Sequence, residues 1–111
     1  MPLPSIVRQQ LRRIVGSQNY SHDREDRVCY AFDATRESWN PDAVVFPENT
    51  SEVAEILRLA TEYGFSVTPR GAGSGMSGGA VPVENGVVMV TTRLNRIIGI
   101  DVDNFTAVVE P

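Results

Sequence analysis

The sequence predicts a single small α+β domain, and three features of the chain support that class. Apolar residues recur at helical spacing over Ser5–Val15 and again over Val53–Ala60. Short runs rich in valine, Ala43–Phe46, Val87–Val90 and Thr106–Val109, alternate with glycine, proline and Asn-Gly punctuation. At 111 residues, 41% of them hydrophobic, there is material for one core that buries roughly two-thirds of the unfolded surface.

The first helix is placed by Ile6, Val7, Leu11, Ile14 and Val15, with Gly16 where a helix would stop. Residues 17 to 27 are polar without periodicity and read as a connector. Val28 to Phe32 reads as extended ahead of a turn at Asp33-Ala34-Thr35. Ala43-Val44-Val45-Phe46 lies between Pro41 and Pro47, both of which forbid a continuing helix, so it reads as a buried strand. The second helix has the clearest local signals. Asn49 or Thr50 caps it, Glu52 can reach back as in a capping box, Val53, Ile56, Leu57 and Ala60 line one face, and Gly64 ends it. Glu52 and Glu55 sit at the favourable positive end of its dipole. Phe65 to Thr68 resumes as strand, giving residues 43 to 68 the length of a right-handed parallel crossover. Asn85-Gly86 then makes a tight turn into Val87–Val90. Leu94, Ile97, Ile98 and Ile100 indicate a further strand, and Asp101 to Asn104 reverses the chain before Thr106–Val109.

The segment Gly71-Ala72-Gly73-Ser74-Gly75-Met76-Ser77-Gly78-Gly79 holds five of the nine glycines. Glycine lets backbone N–H groups crowd an anion, and the lead-in Thr68-Pro69-Arg70 adds a fixed turn and a guanidinium. It hangs from the carboxyl end of a strand, where open α/β sheets bind ligands. It therefore reads as a diphosphate cradle. Gly73 to Gly78 also spells G-x-G-x-x-G, with Asp101 near the place of a ribose-binding acid, but that fingerprint requires its third glycine to open a helix. Pro82 and Asn85-Gly86 exclude such a helix, and with all ten basic residues arginine there is no Walker A lysine. A plain connector is disfavoured by the density of small residues, by Arg70 and by the apolar strands on either side.

Composition narrows the partners. A net charge of -4 without a cationic stripe argues against nucleic acid. No run approaches the roughly 18 apolar residues of a membrane span, and Met1-Pro2-Leu3-Pro4 lacks a signal-peptide core, so a cytoplasmic protein is expected. Cys29 and His22 are each the only residue of their type, which excludes an internal disulfide, a Cys-His zinc site and a Ser-His-Asp triad within this chain. No metal site is expected. Cys29 reads as a small buried hydrophobe and His22 as part of a solvated loop.

The string Pro69 to Pro82, followed by Leu94-Asn95-Arg96-Ile97 and Thr106 to Pro111, resembles the FAD-binding domain of the glycolate oxidase, or FAD-linked oxidase, type. That family belongs to the vanillyl-alcohol oxidase and p-cresol methylhydroxylase flavoprotein superfamily. Tyr30 to Thr35 and Pro47 to Val53 resemble it too, so the likeness covers most of residues 28 to 111. The resemblance implies a small mixed sheet with flanking helices, the first lobe of a p-cresol methylhydroxylase (PCMH) type FAD-binding domain over residues 28 to 111, after an N-terminal helix and polar connector over 1 to 27. It implies FAD as cofactor, its pyrophosphate held by the amides of Gly71, Ala72, Gly73, Ser74 and Gly75, with Ser77 adding a hydroxyl, Arg70 a charge, and Gly78 part of the same set. Met76 is expected to pack inward, and Arg93 and Arg96 to be surface residues.

In this family a second FAD lobe and a substrate cap domain follow the Val-Glu-Pro segment. The resemblance therefore places acid/base and substrate-binding groups beyond Pro111, and no catalytic residue is named. It implies a parent oxidoreductase that passes a hydride from the α-carbon of a 2-hydroxy acid, such as glycolate or lactate, to flavin N5. An iron-sulfur or other electron-carrier protein is the implied partner. The chain alone is expected to be inactive and to bind FAD weakly or not at all. The alternative is a non-catalytic nucleotide- or phosphate-binding module, or a fragment that has lost binding.

Overall fold

The computed structural model describes residues 2 to 111. In chain order the elements are α1 (Ser5–Val15), β1 (Tyr20–Ser21), α2 (Arg24–Cys29), β2 (Ala43–Val45), α3 (Thr50–Tyr63), β3 (Val67–Arg70), β4 (Val87–Val90), β5 (Ile97–Asp101) and β6 (Thr106–Val109). The first four strands form one mixed sheet in the order β1-β2-β4-β3. β1 is antiparallel to β2, while β2 and β3 both run parallel to β4, with Val45 and Pro69 flanking Met89. The α+β class and the mixed sheet with flanking helices are as the sequence predicts. The β2-α3-β3 crossover skips one position, which β4 fills. Val87 to Val90 is apolar and buried at every residue, which suits a central parallel strand covered on both faces.

Alternation along the strands divides the core in two. On one face Ala43, Val45, Val87 and Met89 meet Val7, Leu11 and Val15 of α1 and Ile56 and Leu59 of α3. On the other face Val44, Val88 and Val90 pack with Tyr30 and Phe46. Asp42, almost fully buried, ties the N-terminus to this core by accepting from Leu3 N at 2.8 Å and from Arg8 Nη2 at 2.9 Å.

Local signals explain α3. Asn49 accepts from Glu52 N at 2.9 Å, and Glu52 Oε2 accepts from Glu48 N at 2.7 Å, so the box closes one residue ahead of the cap. Gly64 ends the helix with φ 71°, the left-handed conformation that favours glycine. Ile56, Leu59 and Ala60 are its buried residues, with Val53 packed against the core, whereas Leu57 is half-exposed, because the helix turns the 56/59/60 side to the sheet and both 57 and 59 fit the apolar spacing.

Several local expectations are corrected. The stretch read as a polar connector holds a 3-10 turn over Ser17–Asn19, then β1 and most of α2. The segment from Val28 does not start extended, since Val28 and Cys29 complete α2. Asp23 at its N-cap and Glu25 and Asp26 in its first turn favour that short helix electrostatically. Helical winding leaves Cys29 exposed, not buried. β3 begins at Val67 and extends through Pro69 to Arg70. A proline is tolerated there because β3 is an edge strand and the missing N–H falls on its open side.

β5 and β6 form a separate antiparallel hairpin. Its apolar side chains are exposed throughout, Ile97 at 67%, Ile100 at 70% and Phe105 at 94%. A two-stranded ribbon is marginally stable by itself, and among the described residues nothing covers this one. Its base is closed by Arg96, whose Nη2 donates to Glu110 Oε1 at 2.8 Å. Among the described residues no helix is long and apolar enough to cross a membrane.

Candidate functional site

The parallel strands β2, β3 and β4 end on the same side of the sheet, and the glycine loop leaves β3 there. Among the described residues, the backbone amides of Gly71 to Ser77 donate to no protein acceptor. Gly73 is half-buried and the other residues from Gly71 to Ser77 are exposed. Consecutive N–H groups left without protein acceptors in a glycine-rich turn can together take an anion. The Ser77 hydroxyl makes no bond to the described residues either. Gly78 behaves differently. Its N–H donates to Asp33 Oδ2 at 3.0 Å, so its amide is engaged in holding the loop.

Arg70 lies beneath the loop. It is 8% exposed, its Nη1 donates to the carbonyl of Phe32, and its guanidinium carbon sits 5.4 Å from the ring centre of Tyr30 and 5.9 Å from that of Phe32. Gly73 crosses directly above it with φ 72°. A Cβ built at Gly73 would lie 2.0 Å from Arg70 Nη2 and 2.3 Å from Cζ. The guanidinium therefore acts on the loop through its field from below and does not present an open fork to solvent. Gly75 contrasts with Gly73, since a Cβ there meets nothing within 4 Å.

The support for the loop comes from Asp33, Ala34 and Thr35. Asp33, 5% exposed, accepts through Oδ1 from the Thr35 amide at 2.8 Å and from the Thr35 hydroxyl. The Ala34 amide donates to Gly75 O at 3.1 Å. Hydrogen bonds from Thr35, with smaller help from the Gly78 amide and the Arg70 charge, hold the Asp33 carboxyl below the usual carboxylate range. The sequence indicates only a turn at this place. The available signal is an acid two residues before a threonine, the spacing at which a short side chain folds back on its own backbone.

The other expected positions fall as follows. Met76 is 84% exposed, correcting the expectation that it packs inward, because the loop projects from the sheet and offers it no core. Arg93 and Arg96 are surface residues, the first over the Phe46 ring and the second paired with Glu110. Beside the loop runs an open groove of about 490 Å³ lined by Trp39, Val81, Pro82 and Val83 and rimmed by Glu37 and Glu84. A larger groove of about 650 Å³ lies between α1 and α3, but it shares no residue with the loop, and its wall carries Gln9, Gln10, Arg13 and Glu55.

A glycine loop at the carboxyl end of parallel strands, with free consecutive amides over a buried guanidinium, has the form of an anion-binding nest. The chain belongs to the family of FAD binding domains, whose model matches residues 41–111, and FAD is the cofactor of that family. It is 38% identical over 106 residues to the glycolate oxidase subunit GlcD of Bacillus subtilis, a match that covers 95% of this chain and 23% of that protein. It is 42% identical over 85 residues to a D-lactate dehydrogenase of Archaeoglobus fulgidus, covering 72% of this chain and 19% of the other. Its fold is shared with p-cresol methylhydroxylase at a TM-score of 0.73 and 24% identity, over 86% of this chain and 20% of that one. The chain thus spans less than a quarter of the length of the relatives it matches.

Proposed function

We propose that the glycine loop anchors the diphosphate of FAD, and that residues 28 to 111 are the first lobe of the FAD-binding domain of an oxidoreductase acting on a 2-hydroxy acid. The observation that carries this reading is the run Gly71 to Ser77, surface amides without protein acceptors above one buried guanidinium, in a chain of the FAD-binding family. That donor set fits a diphosphate, which needs several N–H groups and positive potential more than it needs any one side chain. Gly71, Ala72, Gly73, Ser74 and Gly75 would give amides and Ser77 a hydroxyl, with Arg70 supplying charge from beneath and Gly78 fixing the end of the loop. When bound, FAD supplies the redox chemistry; this chain holds and orients it.

A glycolate- or lactate-type substrate is supported by the names of two relatives, a glycolate oxidase subunit and a D-lactate dehydrogenase. The uncovered apolar hairpin β5–β6 supports a larger parent that adds a second lobe and a cap domain. An electron-carrier partner and a cytoplasmic location belong to the same proposal.

Gly75→Val tests the cradle. The added side chain has open space around it in the protein and a backbone without positive φ, so the fold should survive while the space needed by a diphosphate is filled. In the complete protein that contains this chain, purified flavin content should fall to near zero with unchanged thermal unfolding of the apoprotein. Flavin content equal to that of the unsubstituted protein would overturn the reading.

A further inference from the structure

We infer that Asp33 is a positioning residue for the cofactor, its carboxylate fixing the glycine loop in the shape that leaves the amides of Gly71 to Ser77 without protein acceptors. This rests on the cradle reading above. The two carboxylate oxygens have separate tasks. Oδ1 is held locally by the Thr35 amide and hydroxyl, which would suffice for a simple turn. Oδ2 instead reaches Gly78 N, a residue 45 positions away, at 3.0 Å. The same segment makes a second link to the loop, from Ala34 N to Gly75 O at 3.1 Å.

The loop is consequently fixed at three places, by β3 at its start and by residues 33 to 35 at Gly75 and Gly78, and the free amides of Gly71 to Ser77 fall between the first and the last. Glycine-rich segments lose the most conformational freedom on ordering. A tether that removes this freedom before a ligand arrives raises affinity by preorganisation. The electrostatics point the same way. A carboxylate beside an anion site opposes binding unless its charge is engaged elsewhere. Asp33 is 5% exposed, its oxygens accept from three donors, and Arg70 lies close enough to act on its charge. Its placement serves the loop's geometry and leaves little uncompensated negative potential in front of it.

Asp33→Asn separates these tasks. The amide oxygen can still accept from Thr35, but the amide nitrogen is a donor and cannot accept from Gly78. In the complete protein carrying this chain, amide hydrogen exchange and FAD titration of the apoprotein are measured together. Expected are loss of protection at Gly78, unchanged protection at Val44 and Val88 in the sheet, and FAD binding weakened at least about tenfold, the equivalent of one charge-assisted hydrogen bond. Deprotected Gly78 with unchanged FAD affinity would overturn the inference and leave the cradle standing. Failure of the unsubstituted apoprotein to bind FAD would overturn both. Should Asp33→Asn lose sheet protection as well, Thr35→Val decides, because it removes the hydroxyl that orients Asp33 and otherwise only an acceptor for the Glu37 amide, which makes no hydrogen bond to the loop. Weaker FAD binding by that variant supports the inference, and unchanged binding overturns it.

Discussion

Gly73→Ala should destabilise the chain by about 3 kcal/mol, and two separable effects make up that figure. Gly73 has φ 72°, and a left-handed conformation costs a residue with a Cβ about 1 kcal/mol. The new methyl would also stand 2.0 Å from Nη2 of Arg70 and 2.7 Å from Nε, so the guanidinium must move. A guanidinium at the end of an exposed side chain could swing aside at little cost. This one is 8% exposed between Tyr30 and Phe32 and donates to the Phe32 carbonyl, so displacement sacrifices a charge-assisted hydrogen bond worth about 2 kcal/mol. Urea unfolding of Gly73→Ala, Arg70→Ala and the double variant resolves the two. In the Arg70→Ala background the clash disappears and only the backbone term, about 1 kcal/mol, should remain. Equal destabilisation by Gly73→Ala in both backgrounds would show that the loop does not rest on Arg70.

Three further outcomes are expected. The Tyr20 hydroxyl is buried without a hydrogen-bond partner among the described residues, so Tyr20→Phe should stabilise by about 1 kcal/mol in urea unfolding; a loss of stability would contradict the packing described. Asn49→Ala removes the acceptor for Glu52 N and should destabilise by about 1 kcal/mol, visible as a lowered unfolding midpoint, whereas no change would show the cap to be dispensable. The Asp33 carboxyl is held below its usual range in the fold, so its stabilisation is complete above the unfolded value of about 3.9 and is lost as pH falls through the lower folded value. Stability of Asp33→Asn should therefore fall less steeply than that of the unsubstituted chain below about pH 4. Parallel acid limbs for the two would contradict the assignment.

The parts of the fold that rest on local chemistry were legible in the sequence. Asn49, Glu52 and Gly64 fix the ends of α3 by bonds within a few residues, and Pro41 and Pro47 bracket β2 through steric rules that need no tertiary context. Val87 to Val90 declares a buried strand by composition alone. The position of β4 between β2 and β3 was not legible, because a uniformly apolar strand does not say which neighbours it takes. α2 was missed because a six-residue helix has too few turns for a periodic stripe. At the loop, glycine density gave its place and its backbone character. The inward turn of Arg70 and the tether from Asp33 to Gly78 are contacts across 38 and 45 residues and leave no pattern in the chain. The exposed hairpin has a similar cause. Ile97, Ile98 and Ile100 indicate a strand by composition, but whether its apolar side chains are buried depends on a covering surface that composition does not describe.

Whether a diphosphate sits on the amides of Gly71 to Ser77 is decided by an experimental structure of the complete flavoprotein with FAD bound. Diphosphate oxygens are expected within about 2.7 to 3.2 Å of several of those nitrogens, with Arg70 still beneath Gly73 and the Gly78 amide still on Asp33. A diphosphate held by other segments, with these amides left to solvent, would contradict the cradle.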